Sequence, residues 1–400
     1  MKLSDLSSPA FIANPYPMYE ELRAAGPFVQ MGPRTMLTGR YAVTEAMLLD
    51  RRLGKDFNKS IRARYGEAAT NERSFQAMAR TFLMLNPPSH TRLRDPLTQA
   101  FNARQIEKLR DLSVDSAHRL IDAFPSGGNI DLIRDFAAPL PVRIICGLLD
   151  IPLENADMLR RATGPLTSTL DIAPLDADRL HAANEATRVL QDYFSAMVNE
   201  RRANPGDDLI STLATLSDES EPLTNDEIVS NVILLFAAGH ETTSNMIGNA
   251  LVSLHRNPAQ LEKLKNNPSL MPKAVAECIR YDGSVQMVTR VVSEDVEIAG
   301  VKLARDTALF ASIGAANRDP ARFDDPDTLD IERDDHGRLL SFGGGIHYCL
   351  GARLALLELE TSLAALFERA PNLRLRNLDD LHWNNGSSIR GVQSLVASRE

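Results

Sequence analysis

The sequence predicts a mainly α-helical protein with small β-sheets at its edge. Helical periodicity runs through most of the segment from His90 to Leu264. Strand-like runs rich in β-branched residues lie before and after it, at residues 28–38, 291–310 and 390–396. No repeat and no linker rich in proline, glycine or serine divides the 400 residues. We therefore expect a single domain over residues 1–400.

The first predicted elements are a short helix and a hairpin. Pro17 to Ala25 has the spacing of an amphipathic helix that ends at Gly26. Residues 28–30 and 35–38 then predict two paired strands. Further along, residues 204–208 contain proline and glycine and predict a turn between helices.

A long helix is predicted after Thr224. Thr224 followed by Glu227 forms a capping box, and Asn257-Pro258 ends the apolar pattern. About 32 residues at about 1.5 Å each give a helix of roughly 48 Å. A helix of that length crosses the full width of a domain.

The last third of the chain contains the predicted strands. Residues 296–301 and 307–310 are expected to form strands around a turn. A helix should follow Cys349, and the run from Arg390 to Val396 predicts one more strand.

Composition narrows the classes of partner and compartment. The chain has 44 basic and 53 acidic residues and a net charge of −9, which argues against nucleic acid as a partner. Three cysteines do not make a disulfide framework and indicate a reducing cytoplasm. The N-terminus lacks the apolar run of a signal peptide, and no apolar stretch is long enough to span a membrane.

One cysteine lies in a glycine-rich loop just before a helix, in the segment Phe342-Gly343-Gly344-Gly345-Ile346-His347-Tyr348-Cys349-Leu350-Gly351. The dipole of a helix that starts near Gly351 favours a negative charge, so the thiol should ionise easily. The glycines let the backbone come close to a flat partner. A thiolate beside a flat partner suits the axial ligand of a heme iron. An ordinary free cysteine in a flexible loop is the alternative.

This segment resembles the pattern Phe-Gly-x-Gly-x-His-x-Cys-x-Gly of the cytochrome P450 superfamily and matches it at every fixed position. The resemblance covers nearly the whole chain. It implies that family's fold, with heme b (iron protoporphyrin IX) between the long central helix and the helix after the cysteine. It also implies that Cys349 binds the iron and that the loop residues in contact with heme are Phe342, Gly343, His347 and Gly351. No Cys-x-x-Cys-His motif occurs, so covalent attachment of the heme is not expected.

The middle of the long helix reads Ala237-Ala238-Gly239-His240-Glu241-Thr242-Thr243. Taken alone, it would indicate a kink in which a threonine bonds back to a carbonyl. It resembles the oxygen-activation segment of the family, Ala/Gly-Gly-x-Asp/Glu-Thr. Because dioxygen activation needs two protons, the resemblance makes Thr242 the relay alcohol and Glu241 the relay acid. Ala238 and Gly239 are expected to leave room for dioxygen, and His240 to be structural.

Glu277 and Arg280 lie three residues apart on one face of a predicted helix. Such pairs are usually at the surface, but the neighbouring residues are apolar, and buried charges persist when they are paired. The resemblance adds Arg333 as a third member. The cluster would fix the backbone that carries Cys349.

The segment from Asn86 to Arg94 resembles a His-x-x-x-Arg segment whose side chains bind the heme propionates. The resemblance gives this role to His90 and Arg94, with Arg290 and His347 as further candidates. Leu339 stands where a histidine is common in the family, so this propionate contact of the pattern is missing. Arg338 is the candidate that would replace it.

The resemblance also implies a substrate pocket with an apolar lining. The predicted contacts are Phe82, Leu234, Ala237, Val285, Met287, Val288 and Ile389. This lining suits a bulky apolar molecule, and methionine tolerates irregular shapes. By family resemblance, a polyketide, macrolide or terpenoid of secondary metabolism is expected.

The chain has no Gly-x-Gly-x-x-Gly fingerprint and no room for a flavin domain, so electrons must come from another protein. Its likeness to soluble bacterial members implies a ferredoxin and a ferredoxin reductase. The candidate cations for docking an acidic ferredoxin are Arg92, Arg104 and Arg353. A monomer is expected. The leading hypothesis is a monooxygenase. A peroxide-driven peroxygenase, which Glu241-Thr242 argues against, and a non-enzymatic heme sensor or carrier are the alternatives.

Overall fold

Helices make up most of the chain, as the periodicity predicts. The structure is a computed structural model that describes residues 2–125, 127–171, 174–215, 223–335 and 339–399. The chain divides into two units. The first contains Met1–Gly54, Ser113–Pro141 and Thr242–Glu400, and the second contains Lys55–Leu112 and Val142–Glu241.

The helices and strands follow one another in mixed order. The α-helices of the described residues are α1 Pro9–Ala13, α2 Tyr16–Ala25, α3 Tyr41–Leu49, α4 Phe57–Tyr65, α5 Arg73–Ala79, α6 Ser89–Ala100, α7 Ala103–Glu107, α8 Leu109–Asp122, α9 Pro139–Leu149, α10 Ala156–Thr167, α11 Ala177–Ala203, α12 Leu209–Thr215, α13 Asn225–Arg256, α14 Pro258–Asn266, α15 Met271–Asp282, α16 Ile313–Ala316 and α17 Ala352–Arg369. The strands are β1 Val29–Gly32, β2 Thr35–Thr38, β3 Leu53–Gly54, β4 Ile130–Asp131, β5 Met287–Val292, β6 Val296–Ile298, β7 Val301–Leu303, β8 Ala308–Ser312, β9 Arg374–Leu375 and β10 Val396–Ser398. None of the helices in these ranges is long and apolar enough to cross a membrane.

The largest sheet lies in the first unit and has the order β1-β2-β8-β5-β3. The predicted hairpin is present as β1 and β2, and β8 extends it by pairing with β2 in parallel. Buried side chains of this sheet and of α3 form a core cluster that includes Phe28, Met47 and Leu309. This core fixes β5, the strand that contains Arg290.

The predicted strand over residues 296–301 is two strands. Ala299 and Gly300 have φ angles of +51° and +76°, so the chain turns between β6 and β7, which pair with each other. Glycine adopts this left-handed conformation without steric cost. The prediction of one continuous strand did not take into account that Gly300 allows a turn there. The predicted strand over 307–310 is β8, which pairs with β2 and β5 instead.

The C-terminal strand begins later than predicted. Arg390 donates its backbone N–H to the carbonyl of Ser284, so this part of the predicted strand bonds to a loop. The regular strand is β10, the central strand of the sheet β4-β10-β9. Gly391 lies so close to α13 that a Cβ atom there would be 1.8 Å from Oδ1 of Asn245.

The long helix α13 has the predicted start, end and length. Thr224 donates its backbone N–H to a carboxylate oxygen of Glu227 at 2.9 Å, and Glu227 returns an N–H bond to the Thr224 hydroxyl at 3.3 Å. The helix contains 32 residues and ends at Arg256, before Asn257-Pro258. Its residues 225–241 belong to the second unit and 242–256 to the first.

The second unit is helical around the first half of α13. Phe194 of α11 packs on Phe236 of α13, with 6.0 Å between the ring centroids. The predicted turn at residues 204–208 lies between α11 and α12. These helices hold the residues 237–241 in place.

Candidate active site

Cys349 lies between a short 3-10 turn, Gly345–His347, and the start of α17. Its backbone N–H donates to the carbonyl of Phe342 at 2.8 Å, which closes the loop. The thiol is exposed. Gly351 is the N-cap of α17, as predicted. The loop therefore presents one sulfur atom just before a helix start.

Two glycines of this loop have conformations that other residues avoid. Gly343 has a φ of +72° and Gly345 a φ of +63°. A Cβ atom on Gly345 would lie 2.6 Å from the carbonyl oxygen of Leu48 in α3. The glycines thus shape the loop and allow it to approach α3 closely.

Arg290 of β5 is a buried cation beside the same loop. Its guanidinium donates to the carbonyls of Thr289 at 2.9 Å and Gly344 at 3.4 Å. Burial lowers its pKa to about 10. The side chain is 4 % exposed, and no carboxylate of the described residues contributes to its electrostatic environment. Because an unpaired buried charge is costly, this position fits an external anion such as a heme propionate.

The predicted charged cluster is present in the first unit. Glu277 and Arg280 form a two-pronged ion pair at 2.7 and 2.8 Å, and both side chains are fully buried. Arg333 donates to Glu277 at 3.3 Å. Arg280 also donates to the carbonyl of Asn317 at 2.9 Å.

Hydrogen bonds connect this cluster to the cysteine loop. The Asn317 side chain donates to the Ser341 hydroxyl at 2.8 Å, and that hydroxyl donates to the carbonyl of Ile279 in α15 at 3.3 Å. Ser341 precedes Phe342, the first residue of the loop. Helix α15 and the loop are therefore fixed to each other.

In the second unit, the structure brings His90 and Arg94 of α6 together with Phe82. His90 is buried, and its ring centroid is 6.4 Å from that of Phe82. The Arg94 guanidinium lies 5.6 Å from the centre of the same ring. Phe82 thus packs against the two predicted propionate residues.

The middle of α13 presents Ala238, which is exposed although the preceding residues are buried. That Ala238 and Gly239 leave room for dioxygen stays a prediction. A Cβ atom on Gly239 would lie 2.8 Å from Cδ1 of Ile145. This glycine allows α9 to pack closely on α13.

Glu241 and His240 are held by α10. Burial raises the pKa of Glu241 to about 7, and a hydrogen bond with the Thr167 side chain acts in the opposite direction. Burial lowers the pKa of His240 to about 4. His240 Nδ1 lies 2.7 Å from the carbonyl of Phe236, which can only accept, so the neutral ring carries its proton on Nδ1. Nε2 lies 3.2 Å from the Thr163 hydroxyl, which donates to the carbonyl of Arg160 at 2.8 Å. This arrangement agrees with a structural His240.

The predicted substrate residues of the first unit lie in two paired segments. Val285 and Ile389 form an isolated β-bridge. Met287 and Val288 begin β5; Met287 is 5 % exposed, and Val288 packs against the sheet core. In the second unit, Leu234 and Ala237 are both buried on α13.

Comparison with known proteins shows to which family the chain is similar. The family model "Cytochrome P450" matches residues 154–370. Cytochrome P450 133B2 of Xylella fastidiosa is 53% identical over 99% of both chains. The 6-deoxyerythronolide B hydroxylase of Saccharopolyspora erythraea is 35% identical, over 98% of this chain and 97% of that protein. The crystal structure of P450BioI with an acyl carrier protein ligated to hexadec-9Z-enoic acid has a TM-score of 0.91 and 33% identity, over 98% of this chain and 100% of that one.

The chain belongs to the cytochrome P450 family. As a cytochrome P450 it is an enzyme, a monooxygenase with heme b as its cofactor, and it works with a redox partner protein, dioxygen and an apolar substrate. The exposed thiol of Cys349 and the buried guanidinium of Arg290 fit such a heme. In the described ranges no group of three or more His, Cys, Asp or Glu side chains is arranged to hold a metal ion.

Sequence reasoning missed several residues of this cytochrome P450 site. Thr167, Asn317 and Ser341 contact site residues, but each is far from its partner in the chain, and no motif marks it. Arg92 was expected at a docking surface; it is half-buried and forms an ion pair with Glu227. Arg338 lies outside the described residues.

Proposed function

We propose that the protein binds heme b through the Cys349 thiolate and inserts one oxygen atom of dioxygen into a bulky apolar molecule. The observation that carries the proposal is the exposed Cys349 thiol in a loop next to Arg290, a buried cation that pairs with no described carboxylate. Heme supplies an iron centre that activates dioxygen, and a thiolate ligand favours cleavage of the O–O bond.

The heme contacts are proposed residue by residue. Arg290 and His347 of the first unit, and His90 and Arg94 of the second, would bind the propionates. In the loop, Phe342, Gly343 and Gly351 would shape the surface that faces the porphyrin, and Ala238 would contact it with a small side chain. Burial of Arg290 and His90 supports this role, since buried cationic or donor groups bind an anion strongly.

Glu241 and Thr242 would deliver protons. A pKa of about 7 lets Glu241 both give and accept a proton at neutral pH. Thr242 follows it directly in α13 and would hold the proton at its hydroxyl. Thr167 is a positioning residue in this scheme, because its hydroxyl bonds to the Glu241 carboxyl.

Glu277, Arg280 and Arg333 would act through structure. Their ion pairs, together with the bonds from Asn317 to Ser341, fix the backbone before Phe342. A rigid loop holds the sulfur at a constant position, which a metal ligand requires.

We propose two candidate classes of substrate. The proposed substrate contacts are all apolar: Phe82, Leu234 and Ala237 in the second unit, and Val285, Met287, Val288 and Ile389 in the first. Together with a relative that is named 6-deoxyerythronolide B hydroxylase, this supports a polyketide, macrolide or terpenoid of secondary metabolism. The likeness to a structure with a hexadecenoic acid on an acyl carrier protein favours a long acyl chain as the second candidate.

We propose a ferredoxin and its reductase as electron donors and a monomeric, cytoplasmic enzyme. Arg104 and Arg353 are exposed cations that suit an acidic ferredoxin. Three cysteines outside any disulfide are compatible with a reducing compartment.

The test of the proposed function is the spectrum of the reduced, carbon monoxide-bound protein. The wild type should show the band of a thiolate-ligated ferrous heme, and Cys349→Ala should lose it. Cys146→Ala is the control, because it removes a buried thiol in the second unit. An unchanged band in Cys349→Ala would refute the assignment of the iron ligand.

Turnover separates the reaction classes. Product that requires ferredoxin, reductase and NAD(P)H supports the monooxygenase. Product formed equally well with hydrogen peroxide alone would favour the peroxygenase, and binding without turnover would favour a sensor or carrier. The spin-state shift of the heme absorption on titration with 6-deoxyerythronolide B and with hexadecenoic acid then ranks the two substrate classes.

A further inference from the structure

A cavity of about 340 Å³ lies in the first unit, and none of its lining residues belongs to the proposed heme or substrate contacts. It is formed where the ends of α13 and α15 meet the segment that leads into α2. Its lining includes Tyr16, Ser253, Arg256, Asp282, Arg318 and Arg390.

The charge of this lining is positive. Three guanidinium groups, Arg256, Arg318 and Arg390, face one carboxylate, Asp282. Oδ1 of Asp282 is already engaged, because it accepts from the Tyr16 hydroxyl at 2.6 Å and from Arg390 Nε at 3.0 Å. Arg318 and Arg390 are 5 % and 7 % exposed. Each of these buried guanidiniums has one carboxylate partner, Asp327 for Arg318 and Asp282 for Arg390, so the excess positive charge is that of the exposed Arg256.

The buried guanidiniums of Arg318 and Arg390 have more N–H donors than the hydrogen bonds they form. Arg390 uses three N–H groups, one to Asp282, one to the carbonyl of Ile12 at 2.7 Å and one to that of Ala13 at 3.3 Å. Arg318 also uses three, two to the carbonyl of Tyr281 at 2.9 and 2.7 Å and one to Asp327 at 3.0 Å. Since a guanidinium has five N–H donors, two on each have no acceptor within the described chain.

Aromatic rings hold both groups in one orientation. The Arg318 guanidinium lies between Tyr16, at 3.5 Å from the ring centroid, and Tyr281, at 3.9 Å. Arg390 lies 3.4 Å over the ring of Trp383. A donor that is fixed before the ligand arrives loses little entropy on binding.

Two side chains of α13 complete the donor set. The Arg256 guanidinium makes one bond, from Nη2 to the carbonyl of Leu378 at 2.9 Å, among the residues that the structure covers. Ser253 is 3 % exposed and also lines the cavity. The lining is thus rich in hydrogen-bond donors.

We propose that this cavity binds a small oxyanion, a carboxylate or a phosphate, through Arg256, Ser253 and the remaining N–H groups of Arg318 and Arg390. The oxygens of either group match the planar donor edge of a guanidinium. The site is separate from the proposed oxygenation chemistry and does not depend on it.

Calorimetry of the heme-loaded protein tests the proposal, with inorganic phosphate in one titration and succinate in another. Sodium chloride keeps the ionic strength constant. Trp383 is the single tryptophan of the chain, so its fluorescence should change as the anion approaches Arg390. Saturable binding by phosphate alone or by succinate alone identifies the source of the oxyanion. Absence of saturable binding by both overturns the proposal, because water alone would then satisfy the donors.

Two variants locate the binding. Arg256→Met and Ser253→Ala should each weaken it about tenfold or more, as loss of a charge-assisted bond predicts. Arg188→Met removes a charge from an exposed arginine of the second unit and should leave binding unchanged. Equal affinity in all three variants would place the anion elsewhere and refute the site. The same conclusion would follow if the heat of binding saturated together with a shift of the heme absorption, because the anion would then bind near the heme.

Discussion

The carboxyl group of Glu241 is only partly ionised at neutral pH, because burial raises its pKa to about 7. A group with such a pKa transfers protons efficiently at neutral pH. His240, its neighbour in α13, has a pKa lowered to about 4 and stays neutral in the same range. Burial thus favours the neutral form of both residues, although it shifts their pKa values in opposite directions.

Product formation by the wild type should fall as pH rises through about 7, since Glu241 then loses the proton that it delivers. Glu241→Gln should lower turnover about 100-fold and remove this pH dependence. The measurement is the rate of product formation between about pH 6 and about pH 8. A wild-type profile that is flat across this range would contradict the relay role.

Thr242→Ala should retain heme and substrate binding but divert electrons to hydrogen peroxide, because the hydroxyl that holds the proton is lost. Peroxide and product are measured together in one assay. Thr243→Ala removes a buried hydroxyl from the next residue and is the matched control. Fully coupled product formation by Thr242→Ala would refute its assignment.

Among the elements, α15 shows how a helix can determine the position of a loop. Its Glu277 and Arg280 are fully buried and bonded to each other. Through Asn317 and Ser341 the same helix connects to the residue before Phe342. A change at Glu277 therefore affects the loop of Cys349 without touching it.

Glu277→Ala should destabilise the protein by about 3–5 kcal/mol, because it leaves Arg280 buried without its anion. Heme content after purification and urea unfolding measure the effect. Glu332→Ala removes an exposed carboxylate that pairs with Lys263, and we expect little change in stability because solvent screens such a pair. Normal heme loading in Glu277→Ala would mean that the cluster does not support the loop.

Local signals account for the elements that could be predicted. The ends of α13 follow from Thr224, Glu227 and Asn257-Pro258, which act within a few residues of the helix end. The break between β6 and β7 depends on one glycine, and the late start of β10 depends on a bond from Arg390 to a distant loop. Contacts between residues far apart in the chain, such as Thr167 with Glu241, leave no local pattern.

Over the whole molecule, two buried groups oppose each other in their effect on stability. The pKa of His240 is lowered, so the free energy of unfolding falls as pH drops from the ordinary histidine value towards about 4. The pKa of Glu358, which is fully buried in α17, is raised well above its usual value by burial alone. The unfolded state loses this proton first, so stability falls as pH rises above the ordinary glutamate value.

Glu358→Gln should remove the second effect. Its carboxyl oxygens have no hydrogen-bond partner within the described chain, so the amide loses little. The free energy of unfolding in urea, measured at about pH 5 and about pH 8, should change less between the two values in the variant than in the wild type. Parallel behaviour of the two proteins would show that Glu358 ionises freely.

The tight approach of Gly391 to Asn245 limits how this enzyme can be altered in the laboratory. Mutant libraries that randomise Ile389 to reach new substrates would have to stop short of position 391. Any larger residue at position 391 would push against Asn245, about one helical turn after Thr242. A library meant to change substrate selectivity would then also displace the helix segment that contains the proposed proton relay.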